Sequence, residues 1–224
     1  RKRGSANIDT VILSLLGLLT AFTFSAAYSR YEARRQLIVD EANALGTAWL
    51  RLDLLSEASQ PEVRRLFRHY VESRARIWSA MSNTENARRE HQNSVRQQVP
   101  LWNEVISSTH SETTGDARKL ILPALNEVFD IATTRLVAVQ AHPPLVIFLL
   151  LAALSLAAAW LTGYSMAEFD GPAFTHLAGY SALASLVLVM ICDIEYPRFG
   201  FVRLDVPNQL IQDLESEIQK QISE

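Results

Sequence analysis

Only one of the 224 residues is a cysteine, Cys192, so no intrachain disulfide can form and the redox compartment is left open. The five histidines, His69, His91, His110, His142 and His176, make no HExxH or other compact ligand set, and none lies near Cys192 in sequence. Eight glycines never gather into a loop that would cradle a phosphate. These absences argue against an enzyme, and no cofactor is expected. Nucleic acid is not an expected partner either, because Arg30–His142 carries 15 basic and 14 acidic residues with no basic patch interleaved with aromatics. Lysine is scarce as well: arginine outnumbers it 18 to 3, a choice that suits bidentate pairing and placement at a membrane edge.

The most informative scarcity is of charge. Thr10–Ser29, Pro143–Ala167 and Gly171–Cys192, of 20, 25 and 22 residues, contain no Asp, Glu, Lys or Arg. Each is long enough to cross about 30 Å of hydrocarbon at about 1.5 Å per residue, whereas a buried helix of a soluble domain is usually shorter and interrupted by charge. The chain therefore reads as an all-α integral membrane protein. Its first transmembrane helix is expected over 8–29, a helical extramembrane domain over 30–142, further spans over 143–167 and 171–192, and a tail over 193–224. Only Glu168, Phe169, Asp170, Gly171 and Pro172 separate the last two spans, which makes them a hairpin. Arg1–Arg3 followed by an apolar run imitates a signal peptide, but aromatic residues crowd the far end where a cleavage site would need small ones, so a retained helix is expected.

Periodicity organises the rest. Ile38, Ala42, Leu45, Ala48, Trp49, Leu52 and Leu55 recur at three and four, so the first helix should run out of the membrane with one apolar stripe. Ser59, Pro61 and Glu62 mark a helix start with capping-box spacing, and Val63, Phe67, Tyr70, Val71 and Ile77 are its apolar side. Arg68 with Glu72, Glu72 with Arg76 and Glu85 with Arg89 are four-residue pairs of a wetted face. Ser107–Asp116 reads as a loop or as a frayed helix end. In the helix that follows, Pro123 should introduce a kink or delay the start to about Leu122, and Leu125, Val128, Ala132 and Leu136 supply the buried side.

Three groups of residues are candidates for function. Gly17, Ala21 and Ser25 recur every four residues in the first span, with Thr20, Phe24 and Tyr28 beside them. Small residues at this spacing let helix backbones approach closely, so the group serves packing within the chain, a symmetric interface or a pore lining. The hydroxyls of Thr20, Thr23, Ser25 and Ser155 are expected to bond to their own helices. Asn43, Thr47 and Arg51 form one ridge which, with Asp53, should hold the junction between span and domain, Arg51 being buried against a carboxylate. Asp193, Glu195 and Arg198 crowd the end of the last span and are expected to act as one electrostatic unit, with Arg34, Arg35 or Arg135 as further cations.

Several of these segments resemble the bestrophin-like family of membrane proteins. The likeness lies in Leu15–Ser25 followed by Arg34-Arg35, in Glu41–Ala48, in Arg51–Leu55, in Tyr70-Val71-Glu72-Ser73-Arg74 and in Asp193–Gly200, in that order. Where the family has a pattern like Asp-Leu-Asp-Arg-Pro-Arg, this chain keeps the acid as Glu195 but has Tyr196 before the proline. The resemblance implies a further span upstream of Arg1, and through the bestrophins a homo-oligomer, a pentamer by analogy, that passes chloride or another anion. It also suggests a calcium site at Asp193 and Glu195, although two carboxylates fall short of the six to eight oxygens calcium takes. The alternative is a non-conducting scaffold or sensor that binds a protein. Basic residues flank the span ends on the side of the helical domain and acids fill the hairpin turn, which places the domain in the cytoplasm and the protein in a cell membrane, the inner one in a bacterium. The basic Arg1–Arg3 cluster conflicts with that orientation unless a span precedes it.

Overall fold

A computed structural model describes residues 2–79, 84–110, 115–166, 173–196, 201–202 and 205–223. Every regular element among them is helical: α1 (Lys2–Arg51), a short 3-10 turn (Leu52–Leu54), α2 (Gln60–Ser79), α3 (Thr84–Ser108), α4 (Gly115–Gln140), α5 (Leu145–Met166), α6 (Ala173–Glu195) and α7 (Asp205–Ser223). They form two compact units. One comprises Arg1–Glu32 and Ala141–Val202, the other Ala33–Gln140 and Arg203–Glu224.

In the first unit, α1, α5 and α6 supply three helices long and apolar enough to cross a membrane. One narrow face of α1 is covered. Leu16 packs with Leu151 and Ala158, and further along Ala27 packs with Ile191 and Ile194. Large apolar side chains point outward all round this core, among them Phe22, Leu145, Leu156, Trp160 and Leu183, and Leu156 is 72% exposed. Water would penalise so continuous an apolar surface, and lipid does not. The structure is an all-α integral membrane protein.

The second unit is built on the apolar stripe along the later part of α1. Ile38, Leu45, Trp49 and Leu52 are buried with Val63, Phe67 and Tyr70 of α2, Leu101 and Val105 of α3, and Leu125 and Val128 of α4. Phe67 lies 6.0 Å from Trp49, and Phe129 meets Tyr70 edge to face at 5.4 Å. All three predicted four-residue ion pairs are present on the wetted face, at 3.4 to 3.9 Å.

Three points correct or extend the expectations. Of the two readings of Pro123 the delayed start does not hold, because the helix starts at Gly115, well before the proline. Pro123 and Lys119, whose carbonyl loses its usual amide partner, both lie on the exposed side, where water can serve that carbonyl. The capping box at α2 does not form: the Ser59 hydroxyl meets Ser56 at 3.0 Å, and Glu62 turns to Arg65, accepting two hydrogen bonds of 2.8 and 2.6 Å. The tail is a third difference. Beyond residue 204 it is a helix, α7, whose Ile211 and Ile218 are fully buried at seven-residue spacing. It packs on α2, reaches Gly46 of α1 through Leu214, and accepts a 2.7 Å bond from the Trp49 indole at Gln221.

Candidate functional site

Helical geometry splits the first span into two faces. Leu16, Thr23 and Ala27 are buried, and the Thr23 hydroxyl bonds its own helix at the Leu19 carbonyl, 2.8 Å away. The other face carries Gly17, Ala21, Phe24, Ser25 and Tyr28, all exposed, with Thr20 half-buried at its edge. A Cβ added at Gly17 would meet nothing within 4 Å, and among the described residues nothing covers the exposed four-residue stripe. In α5 the Ser155 hydroxyl departs from expectation, being buried without a hydrogen-bond partner among the described residues.

At the end of the same unit α6 stops at Glu195, short of Pro197 as proline stereochemistry requires. The Glu195 side chain is fully buried. Arg30 donates to its Oε2 through Nε at 2.9 Å and Nη2 at 2.7 Å, and His142 Nδ1 lies 3.0 Å from Oε1. The imidazole also stacks on Tyr196 with ring centroids 4.7 Å apart. The Arg30 cation offsets a carboxylate that the carboxyl end of a helix disfavours. Asp193 does something else: it accepts the backbone N–H groups of Phe201 and Val202 at 2.9 to 3.0 Å and so ties down the chain after the helix.

The described residues show how two members of the expected unit of Asp193, Glu195 and Arg198 are held. Two residues along a helix rotate by about 200°, so the two carboxylates face apart. Arg30 and His142 engage Glu195, backbone amides engage Asp193, and Arg198 lies outside the described residues. No group of three His, Cys, Asp or Glu among the described residues is arranged for a metal, and both carboxylates of the calcium reading hold other partners.

A second buried carboxylate sits in the other unit. Glu41 accepts from Arg74, Nε to Oε1 at 2.5 Å and Nη2 to Oε2 at 3.1 Å, and from Arg135 at Oε2. All three side chains are at least 97% buried. Burial by itself raises the Glu41 carboxyl, but the charges and hydrogen bonds of Arg74 and Arg135 outweigh it and hold it below its ordinary value. Burial works against Arg135 too and pushes it down to about 10, still charged at neutral pH. The neighbouring Tyr70 phenol is pushed up to about 12, mainly by desolvation. Arg34, also buried, donates to the Ala138 carbonyl at 3.0 Å.

The predicted junction ridge turns out differently. Asn43 and Thr47 are exposed, because they stand about 200° round α1 from the buried Glu41 and Leu45. Arg51 is half-buried and donates to the backbone carbonyl of Leu120 at 2.9 Å rather than to a carboxylate. Asp53 is exposed and pairs with Arg64. The signal that identifies Glu41 instead is its register: 34, 38, 41, 45 and 48 follow the apolar stripe, so Glu41 and Arg34 are charges placed where apolar residues belong. Arg74 among Tyr70, Val71 and Ile77, and Arg135 after Val128 and Ala132, show the same pattern.

Three apolar helices and an all-helical second unit, each unit holding a buried carboxylate paired with arginine, define the class, an all-α membrane protein. Residues 10–206 match the bestrophin-like domain, and the chain belongs to the bestrophin-like family. That range contains both buried carboxylates and every arginine and histidine that pairs with them. No curated protein and no solved structure gives a match.

Proposed function

We propose that the chain is one subunit of a homo-oligomeric anion channel, with the first span nearest the symmetry axis. The observation that carries the reading is the face of α1 bearing Gly17, Thr20, Ala21, Phe24, Ser25 and Tyr28, which has small and hydroxyl-bearing groups in register and no cover from α5 or α6. Small residues allow close approach of identical helices, and an aromatic and apolar constriction between them would gate by dewetting. Family membership supports the fold of a bestrophin, and the five-fold arrangement and chloride as the ion follow from that likeness. On flanking charge, the helical unit faces the cytoplasm of a cell whose plasma membrane holds the protein. The reading assigns the chain no catalysis and no cofactor.

Reconstitution of the purified protein in liposomes tests it. Chloride efflux above that of empty vesicles is expected, and its absence across a range of pH and calcium would reject conduction. The non-conducting scaffold reading has one observation of its own: Leu50, Leu54 and Leu120 are exposed at 66%, 47% and 49% around the Arg51–Leu120 contact. It would stand if the oligomer forms and passes no ion.

A further inference from the structure

The second unit holds a cleft of about 390 Å³ between the start of α2 and the end of α7, lined by Arg64, Arg65, Arg68, Gln60, Gln221 and Glu57 among others. Its size falls in the range of small-molecule sites, roughly 300 to 1,000 Å³. Three arginines within five residues of one helix are an unusual lining. Each guanidinium carries five N–H donors, and the bonds made here use only part of them. Arg65 gives two to Glu62, Arg64 gives one to Asp53, and Arg68 gives a long one of 3.4 Å to Gln219. The Nε groups of Arg64 and Arg68 are buried without a hydrogen-bond partner among the described residues, although Arg68 Nε lies 3.5 Å from a Glu72 oxygen. Trp49 lies under Arg64, with the guanidinium carbon 5.0 Å from the ring centroid, which holds that fork in place.

We propose that this cleft binds a small phosphorylated anion through the forks of Arg64, Arg65 and Arg68. Three arginines gather in a lining that holds one carboxylate, Glu57. Asp53, Glu62 and Glu72 each engage one of these arginines and weaken the net field. The ligand must therefore be recognised by geometry as well as charge, and phosphate oxygens fit two parallel N–H donors of one guanidinium. The amide side chains of Gln60 and Gln221 can bond the remainder of such a molecule. None of these residues belongs to the first span, so the site is independent of the pore reading.

The phosphate comes either from a soluble molecule or from a phosphomonoester lipid headgroup. Inorganic pyrophosphate serves as the soluble probe, titrated calorimetrically at constant ionic strength into the full chain in phosphatidylcholine nanodiscs. Saturable binding is expected, weakened about tenfold or more in Arg65→Gln/Arg68→Gln. Nanodiscs in which phosphatidic acid replaces part of the phosphatidylcholine form the second arm, read by thermal stability. A rise there that is lost in the variant, without pyrophosphate binding, assigns the site to lipid. Because neutralising two arginines can loosen the corner, Arg68→Lys is measured beside it. Weaker binding by that charge-keeping variant at unchanged unliganded melting temperature supports recognition by the fork. No response in either arm, or an undiminished response in both variants, overturns the proposal.

Discussion

Arg74 grips Glu41 through two hydrogen bonds, 2.5 and 3.1 Å long, at a point where neither side chain is more than 3% exposed. The contact links α1 to α2 across the centre of a helical unit, and Arg135 brings α4 to the same carboxylate. A buried pair of this kind is weak evidence of net stability, but removing one member leaves the others charged and unsolvated. Glu41→Gln should therefore destabilise the protein by about 3 to 5 kcal/mol. Asn43→Ala, two residues away on the exposed face, should change stability by no more than about 0.5 kcal/mol. Thermal melts of the two variants in detergent check the contrast, and equal losses would contradict the burial assigned to Glu41.

The same carboxylate predicts a pH dependence. Folding lowers its pKa from the ordinary 4.5, so on acidification the unfolded chain takes up the proton first. The stability contributed by Glu41 is complete above about pH 4.5 and is lost as pH falls toward the folded-state value. Below pH 4.5 the parent should lose stability more steeply than Glu41→Gln, although it is the more stable protein at pH 7. Parallel slopes would show that other groups control acid unfolding.

At the end of α6, Asp193 and Glu195 engage different groups, so their effects should add. Glu195→Gln weakens the hold on the buried Arg30 contact, and Asp193→Asn weakens the tie to the Phe201 and Val202 amides. The double variant should match the sum of the single variants within about 0.5 kcal/mol. Millimolar calcium should leave the melting temperature of the parent unchanged. A calcium-dependent rise that disappears in the double variant would restore a metal site at this corner.

Gly17→Leu tests the open face of the first span. The position is exposed and an added Cβ meets nothing within 4 Å among the described residues, so folding of the subunit should be little affected. If the face packs against further copies, the oligomer should dissociate, a change visible as lower mass by light scattering in detergent. An intact oligomer would move the axis elsewhere.

Orientation is tested by impermeant thiol labelling in intact cells, after exposed Cys192 has been replaced by serine. A cysteine at Asp170 should react, whereas one at His110 should be protected. The reverse pattern would place the helical unit outside.

Helices and spans were legible because both signals are local: absence of charge over twenty residues, and apolar recurrence at three and four along α1, α2 and α4. The polar partnerships were not, since they join residues far apart in sequence. Arg30 and Glu195 are separated by 165 positions, Glu41 and Arg135 by 94. Proximity in sequence grouped Asn43, Thr47 and Arg51 into one ridge, yet Asn43 and Thr47 stand about 200° round α1 from the buried Glu41 and Leu45. Charges in register with an apolar stripe, such as Glu41, Arg74 and Arg135, carry more information than charges beside one. The helix α7 was missed although Ile211, Leu214 and Ile218 have helical spacing, because its role depends on α1 and α2, more than a hundred residues earlier.

That return of the chain has a consequence for biosynthesis. The helical unit is discontinuous, since Ala33–Gln140 is made first and Arg203–Glu224 only after both later spans. Emerging from the ribosome, α1 to α4 lack the helix that covers Gly46 and supplies Gln221 to Trp49. Domains synthesised in pieces expose apolar surface until the last piece arrives. Here the covering helix follows both later spans in the chain, so a truncation before α7 would leave α1 to α4 without the cover of Ile211, Leu214 and Ile218.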